Sequence, residues 1–118
     1  MANRHLSRSI VLQSLFEWDL NALEKKAVHD VLERNVTEFA PNKTDVPFMA
    51  KLLDGVMAKQ SELDLVIGKA APEWPIDRIS PVDRNILRIG LSELLFGDRA
   101  QVPPKVAINE AIELAKTF

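Results

Sequence analysis

Apolar residues recur at helical spacing along most of the chain, most densely from Ser80 to Phe96, SPVDRNILRIGLSELLF. At about 100° per residue, Val82, Ile86, Ile89 and Phe96 fall on one face and Leu87, Leu91, Leu94 and Leu95 on the opposite face. Asn85, Arg88 and Ser92 form the clear polar strip between them. A helix apolar on two sides has to be covered on two sides. Ser80 suits the N-cap, Pro81 the first helical position and Asp83 the place of a capping-box acid. The stretch is too short and too charged to cross a membrane. It is expected to be the central helix of a soluble bundle, with the other segments wrapped around it.

Those segments follow the same periodicity. Asn3 to Leu20 reads as a first helix, with Asn3 as its N-cap and Asn21 marking its end. Ala27 to Phe39 carries a stripe of Val28, Val31, Leu32, Val36 and Phe39. Ala40 to Thr44 contains Pro41 and Asn42 and reads as a loop. Asp45 then caps a further helix with Pro47 just inside its start. Its stripe, Phe48, Met49, Leu52, Leu53 and Val56, is nearly in phase with a second one, Leu63, Val66, Ile67, Ala70 and Ala71. A break near Ser61 is expected, because Ser61 followed by Glu62 offers a new start. Pro72 and Pro75 end this region around Trp74. Gly97 to Val102 is a turn, and Pro103-Pro104 leads into a last helix reaching Phe118. Its apolar arc holds Ala107, Ile108, Ala111, Ile112, Leu114, Ala115 and Phe118, and the alanines permit close approach to a neighbour. No strand pattern or repeat interrupts this. The expected fold class is all-α, one compact helical bundle over residues 1–118 with five to seven helices.

Composition narrows the function. The chain has 118 residues, enough for one domain that buries roughly two thirds of its unfolded surface. A net charge of -2 argues against coating nucleic acid by bulk charge, yet leaves room for a local basic patch. There is no cysteine, hence no disulfide framework, zinc-finger site or thiol nucleophile. The N-terminus lacks the apolar core of a signal peptide, so a cytoplasmic protein is expected.

Candidate chemistry is sparse. Arg4 and Arg8 lie one turn apart, with His5 between them, and no acid occurs before Glu17. Cations at a helix N-terminus oppose the macrodipole, so either they are ordinary solvated residues or an RNA backbone keeps them there. Lys105, Asn109 and Lys116 fall within about 40° on the polar arc of the last helix. They read first as a solvated face, although two cations with an amide between them could also touch phosphate and a base edge. Asp83 caps its helix, and Phe16 reads as core. Glu93 sits among Val82, Ile86 and Ile89, where burial would demand a partner, most simply an arginine. It has no second acid or base at a catalytic spacing. His5 and His29 show no metal-ligand spacing. Trp18 and Trp74 read as core or rim anchors. The residues therefore point away from an enzyme, a metal or a cofactor.

Three stretches carry a family resemblance. The first helix has R-x-x-x-R followed by VLQSLFEWD (Val11 to Asp19), and the central helix has ISPVDRNILRIGLSELLF. The last, VPPKVAINEAIELAKTF (Val102 to Phe118), is the longest and most specific. In this order they resemble the NusB family of transcription antitermination factors over nearly the whole chain. The resemblance implies an all-α fold and a factor that binds a boxA-type RNA together with the ribosomal protein NusE. It further implies membership of a transcription elongation complex on ribosomal RNA operons, without cofactor or membrane. It assigns RNA contact to Arg4, His5, Arg8, Lys105, Asn109 and Lys116, and partner contact to Phe16 and Asp83. The family usually continues past the position of Phe118 with a Gly-containing loop and a further helix, so the chain reads as a NusB-like domain lacking that C-terminal segment. Two rivals remain: a protein-only interaction module of the same fold, and the NusB-like domain that precedes a ribosomal RNA methyltransferase. This chain has no cofactor-type Gly-rich loop to be the catalytic part itself.

Overall fold

A computed structural model describes residues 4–39, 42 and 45–118. Among them are five α-helices: α1 (Arg4–Leu20), α2 (Val28–Phe39), α3 (Val46–Ala70), α4 (Pro81–Phe96) and α5 (Pro104–Thr117). Single 3-10 turns, Lys25–Ala27 and Ile76–Arg78, precede α2 and α4. The expected N-cap at Asn3 and most of the loop expected over 40–44 lie outside the described residues. No helix among the described residues is long and apolar enough to cross a membrane.

Local chemistry sets the helix ends. The Asp45 side chain accepts a hydrogen bond from the Phe48 N–H, and Ser80 Oγ accepts one from the Asp83 N–H, with a proline at the start of each helix. The end of α1 is a Schellman turn. The Leu23 N–H donates to Trp18 O and the Ala22 N–H to Asp19 O, while Ala22 takes the left-handed φ of 51° usually left to glycine. Asn21 stands at the helix end as its sequence suggests, its side chain donating to Glu17 O.

The helix α4 packs on α1, α3 and α5, and α2 lies along α1. Their shared core includes Val11, Leu12 and Leu15 of α1, Met49, Leu53, Val56 and Leu63 of α3, Ile86 and Ile89 of α4, and Leu114 of α5. Where α4 meets α5, a Cβ added at Gly90 would stand 3.0 Å from the Ala111 Cβ, so glycine and alanine together set the close approach. Ala111 and the buried Ala107 thus allow the close approach expected of them, whereas Ile108, Ile112, Ala115 and Phe118 of the same arc are exposed.

Two expectations are corrected. The helix α3 runs unbroken through Ser61. Its two apolar stripes are in phase, so Val56, Leu63 and Ile67 continue one buried face, and the exposed Ser61 is not needed as a cap. Within α4, the strip of Asn85, Arg88 and Ser92 is buried, whereas Leu87 and Leu95 are over 40% exposed. The second apolar face, expected to be covered, is covered only in part: Leu91 packs on the core and Leu94 is half-buried. Asn85 and Arg88 occupy the interior here because each finds a partner there.

Candidate functional site

Two polar assemblies flank this core, one at each end of α1. The first gathers around its N-terminus. The Arg8 guanidinium is buried and donates from Nε and Nη2 to the Glu93 carboxylate at 2.8 and 2.9 Å. Such a fork-to-fork pair satisfies both charges in the interior. Its Nη1 lies 3.6 Å from Glu110 Oε2 on α5, and His5 Nδ1 lies 3.6 Å from the same oxygen. Arg4 sits with its guanidinium 4.4 Å from the centre of the Phe48 ring and Nη2 3.8 Å from Asp45 Oδ2. Phe48 also takes Arg8 at 5.0 Å, a cation–π arrangement shared by both arginines. Ser7 Oγ accepts from the Asp45 N–H at 3.1 Å, which ties the start of α3 to α1.

This node separates the residues expected to act together. Arg4 and His5 are half-exposed, their side chains 37% and 41% accessible. Arg8 is not: expected at the surface beside them, it is 3% exposed and committed to Glu93. The partner anticipated for Glu93 is therefore this arginine. On α5, Lys105, Asn109 and Lys116 are all exposed, and Lys116 makes a surface pair with Glu113 at 3.5 Å. Such an exposed pair holds Lys116 only loosely.

The second assembly joins the far end of α1 to the start of α4. Arg84 Nε and Nη2 donate to the two oxygens of Asp19 at 2.5 and 2.6 Å, and Arg84 Nη1 donates to the Ile79 carbonyl. The Asn85 side-chain amide donates to Asp19 at 2.9 Å. Arg88 donates to Asp19 and Asn85 through Nη1 and to both oxygens of Asp64 on α3 at 2.8 and 3.0 Å. Burial pushes the Asp19 carboxyl up, but hydrogen bonds from Arg84 and Asn85 and the charges of Arg84 and Arg88 outweigh it and hold it below the usual aspartate value. The Arg84 guanidinium is raised in turn, first by its hydrogen bond to Asp19. Asp83 is exposed beside this cluster, and Phe16 is half-buried one turn before Asp19. The expected partner residues thus share one end of the α1–α4 pair. From Arg4 to Phe16 the rise along α1 is roughly 18 Å.

Sequence reasoning passed over Asp45, Phe48 and Glu110 in the first assembly. Glu110 stands between the buried Ala107 and Leu114 at helical spacing and so turns inward once α5 is set against α1. The partners Asp19 and Asp64 carried no comparable mark.

The arrangement holds the half-exposed Arg4 and His5 over the buried Arg8–Glu93 pair, which suits contact with an anion rather than bond-making chemistry. The model of the NusB family matches residues 5–118. The transcription antitermination protein NusB of Chloroflexus aggregans is 40% identical over 117 residues, spanning 99% of this chain and 76% of that protein. The protein of that name from Bacillus subtilis is 40% identical over 115 residues, spanning 98% and 81%. The chain belongs to the NusB family. NusB proteins are transcription antitermination factors and not enzymes. The NusB match covers both polar assemblies except Arg4, and the all-α architecture expected from periodicity is the architecture of this family member.

Proposed function

We propose that this chain is an antitermination factor that binds a boxA-type RNA together with NusE and acts within the transcription elongation complex on ribosomal RNA operons. That work would be done in the cytoplasm. The single observation that carries the reading is the end of α1, where Arg4 and His5 stand half-exposed in a first turn without an acid. An RNA phosphate would meet positive charge and N–H donors there, in a protein whose net charge is otherwise negative. In this reading Arg4 and His5 touch RNA directly, and Arg8 supports them from below through Glu93 and Phe48. Lys105, Asn109 and Lys116 extend the contact along α5.

Phe16 and Asp83 would receive NusE at the other end of α1. The separation along the helix lets RNA and protein be held at once. A handful of phosphate contacts gives weak binding at physiological salt, so the partner is needed to complete the surface. The experiment is a titration of labelled boxA-type RNA with the chain, with and without NusE, at two salt concentrations. The reading expects weak, salt-sensitive binding alone and tighter binding with NusE. No RNA binding in either case would favour a protein-only interaction module.

A further inference from the structure

We propose that Glu110 is a positioning residue for His5, so that a protonated His5 bridges this carboxylate and an RNA phosphate and makes RNA affinity fall as pH rises. The inference rests on the RNA-binding reading and adds the group that regulates the same surface.

Glu110 Oε2 is buried and has no hydrogen-bond partner among the described residues. A buried acceptor left in that state is costly. Two donors stand at 3.6 Å, Arg8 Nη1 and His5 Nδ1. Arg8 is already held by Glu93, which takes its Nε and Nη2. The free choice belongs to His5, whose ring is 41% exposed and turns on χ1 and χ2 at the start of the helix. With a proton on each ring nitrogen, Nδ1 donates to Glu110 and Nε2 is left to donate outward.

Charged groups face His5 from the elements packed around it. On its own helix stand Arg4 and Arg8. Facing it are Glu110 from α5, Glu93 from α4 through Arg8, and Asp45 at the start of α3 through Arg4. On α2, which packs against α1, Glu38 is exposed to solvent and so screened. Within the node, two arginines face three carboxylates. An arriving phosphate adds negative charge on the open side and favours the imidazolium. Imidazole is the side chain that changes charge between about pH 5 and 8. RNA binding then takes up a proton from solvent onto His5, and linkage requires affinity to rise as pH falls.

The test is a titration of labelled boxA-type RNA with the chain alone, at low salt, at pH 6, 7 and 8. The wild-type affinity is expected to fall severalfold from pH 6 to pH 8. His5→Lys should bind at both extremes about as the wild type does at pH 6. His5→Gln should bind at both as the wild type does at pH 8, which also removes His29 as the source. Glu110→Gln, if its circular dichroism and unfolding midpoint show it folded, should need a lower pH for the same affinity. A flat wild-type profile, a His5→Lys profile that still falls, or a folded Glu110→Gln profile that overlays the wild type overturns the inference while leaving RNA binding intact. Absence of RNA binding at every pH overturns both.

Discussion

Arg8 and Glu93 stand 85 positions apart in sequence and meet through paired hydrogen bonds of 2.8 and 2.9 Å in the interior. This bond fastens the N-terminal turns of α1 to the last turns of α4. Removing one partner leaves the other charge buried and unpaired. Arg8→Ala or Glu93→Ala is therefore expected to cost about 3–5 kcal/mol in urea unfolding. Arg8→Met with Glu93→Leu removes both charges together and should cost clearly less than either single variant. A single variant within about 0.5 kcal/mol of the wild type would show that the pair is not formed in solution.

The Asp19 cluster predicts a pH dependence of stability. Its carboxyl is held below the usual aspartate value in the folded protein, so the unfolded chain takes up the proton first as pH falls. The stabilisation is complete above about pH 4, the unfolded aspartate value, and is lost as pH drops through the lower folded value. Asp19→Asn should already be weaker at pH 7, because Arg84 and Arg88 lose their shared anion. The gap between wild type and variant in denaturant midpoint should narrow from pH 5 to pH 3. A gap that stays constant would exclude Asp19 as a source of the acid-limb loss.

Ala22 is the non-glycine residue with positive φ, 51°, among the described residues. A left-handed conformation costs an L-residue roughly 1–2 kcal/mol. Ala22→Gly should relieve part of this and raise stability by about 0.5–1 kcal/mol, offset somewhat by the greater freedom of the unfolded chain. Thermal unfolding would read it as a higher midpoint; an unchanged or lower midpoint would mean that the turn at the end of α1 differs from the one described.

Much of this fold is legible in the chain, and the limits have physical causes. Helical periodicity and capping chemistry locate α4 and its Ser80 cap, because both are local. Periodicity sorts residues by polarity, however, and cannot see partners. Asn85, Arg88 and Ser92 read as an outward strip, but Asp19 and Asp64 draw the first two inward from 66 and 24 positions away. Arg8 reads as a surface cation for the same reason, since Glu93 lies in a different helix. Conversely, the in-phase stripes on either side of Ser61 were visible and outweigh the cap signal there. For the candidate site, the acid-free turn with Arg4 and His5 is legible, whereas the inward turn of Glu110 becomes evident only once α5 is set against α1.

Partner binding offers a separate prediction at the other end of α1. Asp83 is exposed in the first turn of α4 and makes its cap contact through its backbone N–H, not its carboxylate. Asp83→Lys should keep helical content and stability within about 1 kcal/mol, the cost of a cation at a helix N-terminus. Its affinity for NusE should fall by an amount consistent with reversal of an interface charge, several kcal/mol if the carboxylate is paired. Calorimetry that returns the wild-type affinity for the folded variant would remove Asp83 from the interface.

The most direct measurement of the central claim is the salt dependence of boxA-type RNA affinity, in the presence of NusE, for the wild type and for Arg4→Ala with His5→Ala. These positions are half-exposed, so the variant should retain its helical content and its NusE affinity. The account predicts weaker RNA binding and a log-affinity against log-salt slope that flattens by roughly 1 to 2 units, as expected when phosphate contacts and their counterion release are lost. Full affinity with an unchanged slope would contradict it and move the RNA away from the end of α1, with Lys105, Asn109 and Lys116 of α5 the next residues to test.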